Sequence, residues 1–376
     1  MHSSRRSFLA AGTAAAVFQI LPSRAARAAT EASVIGHGSH RYRVVPGWGA
    51  LEASQFPVAN CHELVEDSKG RIILFQTNAK NNILIYDKAG KLLESWGKEY
   101  PGAHGLEIVN ENGEEFLFLS DTRGFVYKTD LKGKQVFKIE RPVESGKYPT
   151  DPDPKKQVKY SPTNIMPAPD GTFFIGDGYG SSYILHYDHS GKFLNIFGGK
   201  GTAPESLNTP HGGMVDTTDP KNPVLLICSR SDKAVKKLTL DGKHLATAPV
   251  SGLSVCQIRK RGNAYYIPSL EGVVTVLDEK LKVVSNPGGT GPQYAADGSL
   301  AVIKQVDVTG AIAAPPPPKP KAGEPAPAVP AAPAPAPAAT VFMHPHGIWC
   351  DADDSVYVAQ WNSKNTYPVK LERVKG

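Results

Sequence analysis

The chain has 376 residues, of which 21% are charged, and a formal net charge of +6. Residues 1–28 hold four arginines and no acid. The remainder therefore carries 38 basic against 36 acidic residues, a charge of +2, and no electrostatic case for a nucleic-acid partner remains. Beyond that leader no apolar run is long enough to span a bilayer.

The leader reads Ser4-Arg5-Arg6-Ser7-Phe8-Leu9, then a modest apolar run from Ala10 to Leu21, then Ala26-Arg27-Ala28. Paired arginines, a weak apolar run and an A-x-A cleavage site predict a twin-arginine signal peptide over 1–28 rather than a Sec signal or an anchor. The twin-arginine translocase is then the partner during export, and the mature protein is periplasmic or secreted. That route carries folded proteins, so a metal can be loaded beforehand. Cys61, Cys228, Cys256 and Cys350 show no C-x-x-C spacing, which leaves three disulfide pairings and four free buried thiols equally open.

From Arg41 onward helical periodicity is almost absent, and short β-rich runs alternate with Asp-Gly, Lys-Gly, Gly-Lys and Asn-Gly turns. One unit runs Ala103–Ile108, Phe116–Asp121, Phe125–Lys128 and Gly133–Phe137, and another Thr163–Ile165, Phe173–Asp177, Tyr183–Tyr187 and Gly191–Gly198. Four short strands at a period of about forty residues are the signature of a propeller blade. The template also fits His62–Trp96, His211–Leu245 and, loosely, Val255–Val284. A last copy from His346 holds three strands, and Arg41–Gly49 resembles the missing fourth. The expected fold is all-β: a six-bladed β-propeller over 29–376, one domain, closed by an N-terminal strand that completes the last blade. Two segments stand outside the repeat. Pro142–Tyr160 is a polar, Pro- and Lys-rich loop, and 313–339 is a Pro/Ala-rich insertion that cannot bury a core and is expected to be disordered.

A histidine motif recurs at the head of the first strands: Ala103-His104-Gly105-Leu106, Pro210-His211-Gly212-Gly213, Pro345-His346-Gly347-Ile348 and, more weakly, Cys61-His62-Glu63-Leu64. First strands line a propeller's channel, so His62, His104, His211 and His346 share one ring position. Thr163 holds it in the third blade, and Val255 or Cys256 in the fifth. A lone histidine there would be a core residue bonded to the next blade. Four in register predict a metal, because imidazole is the common neutral ligand of zinc, copper, iron and nickel. Glu63, the one carboxylate beside a ring histidine, could orient a ligand, bind a second cation or move a proton. Gly198-Gly199-Lys200-Gly201 lacks the spacing of a phosphate loop. His37, His40, His186 and His189 lie out of register and read as surface residues.

These residues resemble the NHL-type six-bladed propellers and, among them, the peptidyl-α-hydroxyglycine α-amidating lyases. The resemblance covers the mature chain apart from the two insertions. It implies a catalytic zinc on His104, His211 and His346, a tyrosine beside the metal at Tyr179, and a structural calcium held partly by the carbonyls of Leu64 and Leu106. Departures accompany it. Gly347 stands where the family has a channel aspartate, and Glu63 offers that charge from the first blade. His344 replaces a methionine, Thr77 falls where the family has a substrate-binding arginine, and Gly180 replaces a cysteine. His62 is additional, and Arg123 and Arg230 are candidate replacements for the arginine.

The expected function is an exported zinc lyase or hydrolase that breaks a C–N or C–O bond beside a metal-bound hydroxyl. Its substrate would be a small molecule or short peptide, with Tyr179 or Glu63 moving the proton and Arg123 or Arg230 gripping an anion. The alternatives are a redox enzyme with iron or copper on four histidines, and a non-enzymatic NHL scaffold.

Overall fold

In the first blade, strand Ile72–Gln76 is fully buried, and its side chains alternate between two cores. Ile72 and Leu74 pack with residues of the sixth blade, whereas Ile73 and Phe75 pack with the second. Burial on both faces is why the middle strands of each repeat read as continuous apolar runs rather than alternating ones. The outer strand Leu92–Trp96 has only one covered face and carries polar residues at the rim.

The computed structural model describes residues 33–295, 299–300, 341–361 and 366–375, so the leader and the segment 313–339 lie outside the described residues. Six antiparallel sheets follow one another in chain order. Their innermost strands are Cys61–Glu66, Ala103–Glu111, Asn164–Pro167, Pro210–Asp216, Arg259–Arg261 and Pro345–Cys350. Six apolar clusters fill the six spaces between neighbouring blades, including the space between the last and the first. This is the expected all-β six-bladed propeller.

Closure follows the expected route and goes one strand further. His40–Val45 pairs with Val369–Arg373, with Tyr42 opposite Arg373 and Val44 opposite Leu371. Val34–His37 then adds a fifth strand outside it. Trp48, which follows the closing strand, packs on Tyr86 and Tyr357 and donates its indole N–H to the carbonyl of Lys88 at 3.0 Å. One aromatic thus ties the sixth blade to the first.

The fifth blade departs most from the repeat. Its inner strand is only Arg259–Arg261, and Val255 touches the sheet through a single bridge to Ser269. All four cysteines are free thiols. No helix among the described residues is long and apolar enough to cross a membrane.

Candidate metal centre

Three of the four ring histidines are held in the same way. The Nδ1 of His104 lies 2.7 Å from the carbonyl of Thr163, that of His211 lies 2.8 Å from the carbonyl of Cys256, and that of His346 lies 2.9 Å from the carbonyl of His62. Each partner occupies the ring position of the next blade, which fixes Cys256, not Val255, as the fifth member. A carbonyl only accepts, so each Nδ1 carries the proton and each Nε2 keeps a lone pair. The ring centroids of His104, His211 and His346 form a nearly regular triangle with sides of 4.6, 4.8 and 4.9 Å.

The glycines explain the threefold pattern. A Cβ on Gly105, Gly212 or Gly347 would meet the backbone of the next blade: Thr163 O at 2.7 Å, Cys256 O at 2.1 Å and His62 O at 2.2 Å. Glycine after the histidine therefore lets blades two, four and six lean on blades three, five and one, close enough for the imidazole to reach the carbonyl. The crowding comes from the neighbouring strand rather than from the channel axis. Positions 63, 164 and 257, which follow the other three ring members, are Glu, Asn and Gln.

His62 belongs to that second set. Its Nδ1 faces the Nε2 of His346 at 3.3 Å, and its ring lies 4.4 Å from His104 and 4.5 Å from His346. Because the Nε2 of His346 is the acceptor, this contact uses the same lone pair that a metal would need. Among the described residues, two groups come close enough to hold an ion: His62 with His104 and His346, and His211 with Cys256 and His346; the expected set of His104, His211 and His346 does not converge as one group. Burial lowers the basicity of all four imidazoles, that of His104 to about 3, so they are neutral near pH 7.

Tyr179 caps the triangle. Its hydroxyl lies 2.9 Å from the Nε2 of His211 and 3.4 Å from that of His104. Arg230 donates to the Tyr179 oxygen at 3.2 Å, to the carbonyl of Val255 at 3.0 Å and to the thiol sulfur of Cys256 at 3.0 Å. These contacts use three of its five N–H groups. The turn that presents Tyr179 is organised by the buried carboxylate of Asp177. That carboxylate accepts from the N–H groups of Ser161 and Ser181 and from the hydroxyl of Tyr148, the last at 2.6 Å. Burial raises the Tyr179 pKa and Arg230 opposes the rise, which leaves a neutral phenol beside the histidines.

Glu63 lies in the next layer down the channel rather than among the imidazoles. Its Oε1 accepts from Gln257 at 3.1 Å, and Gln257 also donates to Asn164 at 3.1 Å. Its Oε2 lies 3.8 Å from Arg259, whose guanidinium pairs with Glu107 at 2.5 Å and reaches the carbonyl of Leu106 at 3.4 Å. Burial pushes both carboxyls up, and Arg259 pulls them back. The calcium expected near Leu64, Leu106 and Glu63 does not fit this arrangement. A permanent positive charge already lies against the Leu106 carbonyl and both carboxylates.

Of the two candidate arginines, only Arg230 meets the site. Arg123 is bound through Nε and Nη2 to the carboxylate of Asp121 and lines a separate hollow with Arg141 and Tyr160. His344 turns away, with its Nδ1 on the carbonyl of Leu270 at 2.9 Å. His37, His40 and His186 are half-buried rather than superficial, and His186 stacks on Phe174 at 4.1 Å. Sequence reasoning missed Arg259, Gln257 and Asn164 in the channel and Asp177 behind Tyr179. The polar residues that follow the non-glycine ring positions were the available signal.

No protein-family model matches the chain. A stretch of 187 residues is 29% identical to peptidyl-alpha-hydroxyglycine alpha-amidating lyase 2 of Drosophila melanogaster and covers 47% of this chain and 38% of that protein. Another of 144 residues is 29% identical to the peptidyl-glycine alpha-amidating monooxygenase of Mus musculus, over 35% of this chain and 14% of the relative. The Rattus norvegicus peptidylglycine alpha-amidating monooxygenase is 28% identical over 168 residues and is matched over 17% of its length. The matches thus span well under half of each relative. Among solved structures, a streptogramin B lyase aligns over 84% of this chain and 94% of its own, with a TM-score of 0.48 and 13% identity. Taken with the six blades, the curated relatives make this chain a β-propeller that resembles the peptidyl-α-hydroxyglycine α-amidating lyases.

Proposed function

We propose that the protein is an exported, metal-dependent lyase that breaks a C–N bond, or the equivalent C–O bond, at a carbon bearing a hydroxyl. The observation that carries this reading is the set of three imidazoles on alternate blades. Each is locked by its Nδ1, and a tyrosine hydroxyl lies against two of the three Nε2 atoms. Three neutral imidazoles of one tautomer suit zinc: His104, His211 and His346 would hold it with an open side toward Tyr179, although the three histidines whose ligand atoms already converge are His62, His104 and His346. Bound there, zinc would act as a Lewis acid and make the substrate hydroxyl easier to deprotonate.

The chain's own residues account for the remaining steps. Arg230 is placed to hold a carboxylate next to the reacting carbon. The hydroxyl proton leaves oxygen, the electron pair left on oxygen forms the C=O bond of the aldehyde product as the C–N bond breaks with its pair on nitrogen, and nitrogen takes up a proton, so the reaction needs no oxidant. Tyr179 is placed to move that proton, and Arg230 holds its oxygen in position. Asp177 acts through the turn, as a positioning residue.

The test is turnover of an N-acyl-α-hydroxyglycine to amide and glyoxylate, together with elemental analysis of the purified protein. One zinc per chain that survives dialysis supports the reading, and substoichiometric, dialysable metal would sink it. A visible or paramagnetic iron or copper signal would favour the redox alternative, for which the His211, Cys256 and His346 group offers a sulfur ligand. Tyr179→Phe is expected to keep its metal and lose about 100-fold in kcat. The leader motif supports export by the twin-arginine route. Arg5→Lys with Arg6→Lys should leave uncleaved precursor in the cytoplasm, and normal processing of that variant would argue against the route.

A further inference from the structure

The hollow above Tyr179 is built by two segments that the repeat does not require. One is the insertion Pro142–Tyr160, and the other is the Gly198–Gly201 turn after the outer strand of the third blade. The insertion is pinned to the blade. Tyr148 is fully buried with its hydroxyl on Asp177, its ring packs on Tyr160 and Tyr183, and Arg141 donates to the carbonyl of Val158 at 2.7 Å. Held this way, it presents Lys147 and Lys159 beside Tyr179, and the glycine turn presents Lys200.

Two adjoining hollows, of about 470 and 680 Å³, share Tyr179, Gly180, Lys159 and Lys200. The first reaches inward to Ser161 and Thr209, and the second runs outward past Tyr183 to Lys147. Three lysines and no carboxylate line them. Among the described residues, none of the three lysines makes an ion pair. The hollows extend from Tyr179 outward to Lys147, so an acyl group attached to the reacting end would lie among these cations. Ammonium groups on flexible stems at the surface attract an anion without dictating its geometry.

We propose that the mouth is a distal anion subsite and that the preferred substrates carry a second carboxylate on the acyl side, remote from the bond that breaks. This rests on the lyase reading for the reacting end but not for the subsite itself. The direct comparison is N-succinyl-α-hydroxyglycine against N-acetyl-α-hydroxyglycine. The succinyl compound should show a KM about five- to tenfold lower with a similar kcat, because exposed charges contribute to capture and not to the chemical step. The preference should shrink between about 50 and 500 mM salt as the charges are screened. In the double variant Lys159→Gln, Lys200→Gln the ratio of the two kcat/KM values should fall to near one.

A second arm needs no turnover. N-Succinylglycine and N-acetylglycine lack the hydroxyl at which cleavage occurs, and calorimetric titration should show the succinyl compound binding more tightly to wild type and equally to the double variant. Equal binding to wild type, or a preference that survives both substitutions, would overturn the subsite. If neither hydroxyglycine turns over while N-succinylglycine still shows the lysine-dependent preference, the lyase reading fails and the subsite stands.

Discussion

Alanine at His104, His211 or His346 should abolish stable zinc binding and turnover, and to the same degree at each position. Equality is the informative part, because each of the three rings makes the same Nδ1 contact to the next blade and is followed by a glycine that permits it. Losing even an outer partner of a metal ligand costs about 10- to 100-fold in affinity, and losing the ligand itself should exceed about 100-fold. His62→Ala should behave differently. Its ring competes for the lone pair of His346 rather than repeating the carbonyl contact, so its removal should leave one metal per chain and change affinity by less than about tenfold. Elemental analysis after dialysis, with zinc titration against a competing chelator, separates the four variants. An equally severe loss at His62 would make it a fourth ligand, and unequal losses among the other three would break the threefold description.

Much of the ring was legible because a propeller repeats its geometry. Once the second strands are aligned, equivalent first-strand positions must face the channel, and four histidines fall into register. Even the alternation was written in the chain. His104, His211 and His346 precede glycine, and His62 precedes glutamate, which marks the first three as the blades that lean on their neighbours. The fifth member was harder to assign. Ser254–Ile258 does not form a regular strand, so no strand register separates Val255 from Cys256. The fifth strand on the last blade was also hidden, since Val34–His37 has no counterpart in the other repeats. The channel charges were hidden for a different reason. Arg259 lies on a three-residue strand in the fifth blade, and its partners Glu63 and Glu107 come from the first and second. No local spacing records a contact that crosses the channel. Lys147 and Lys159 of the mouth reach Tyr179 because Tyr148 folds the insertion back onto Asp177, a long-range contact with no sequence signature.

Arg259→Ala should be the most destabilising single change in the channel, by about 3–5 kcal/mol in urea unfolding. The substitution removes the cation that faces Glu63 and Glu107, both almost fully buried, and exchanges a filled layer for a cavity between two carboxylates. Glu63→Gln, Glu107→Gln and Arg259→Met combined should recover most of that loss, since replacing a buried charge cluster by neutral groups of similar volume is often close to neutral. Calcium supplies the sharper test. The wild-type unfolding midpoint should not move when millimolar calcium is added, because the guanidinium already lies against the Leu106 carbonyl and the two carboxylates. In Arg259→Ala the same oxygens are released around an emptied space, and oxygen-rich anionic sites are what calcium selects. Calcium should therefore raise the midpoint of the variant alone. A wild type stabilised by calcium would mean that the arginine leaves room for an ion after all. A variant that unfolds at the wild-type midpoint would mean that Arg259 contributes nothing as a counter-charge. Between those outcomes lies the expected one: a propeller whose channel cation is part of its own chain.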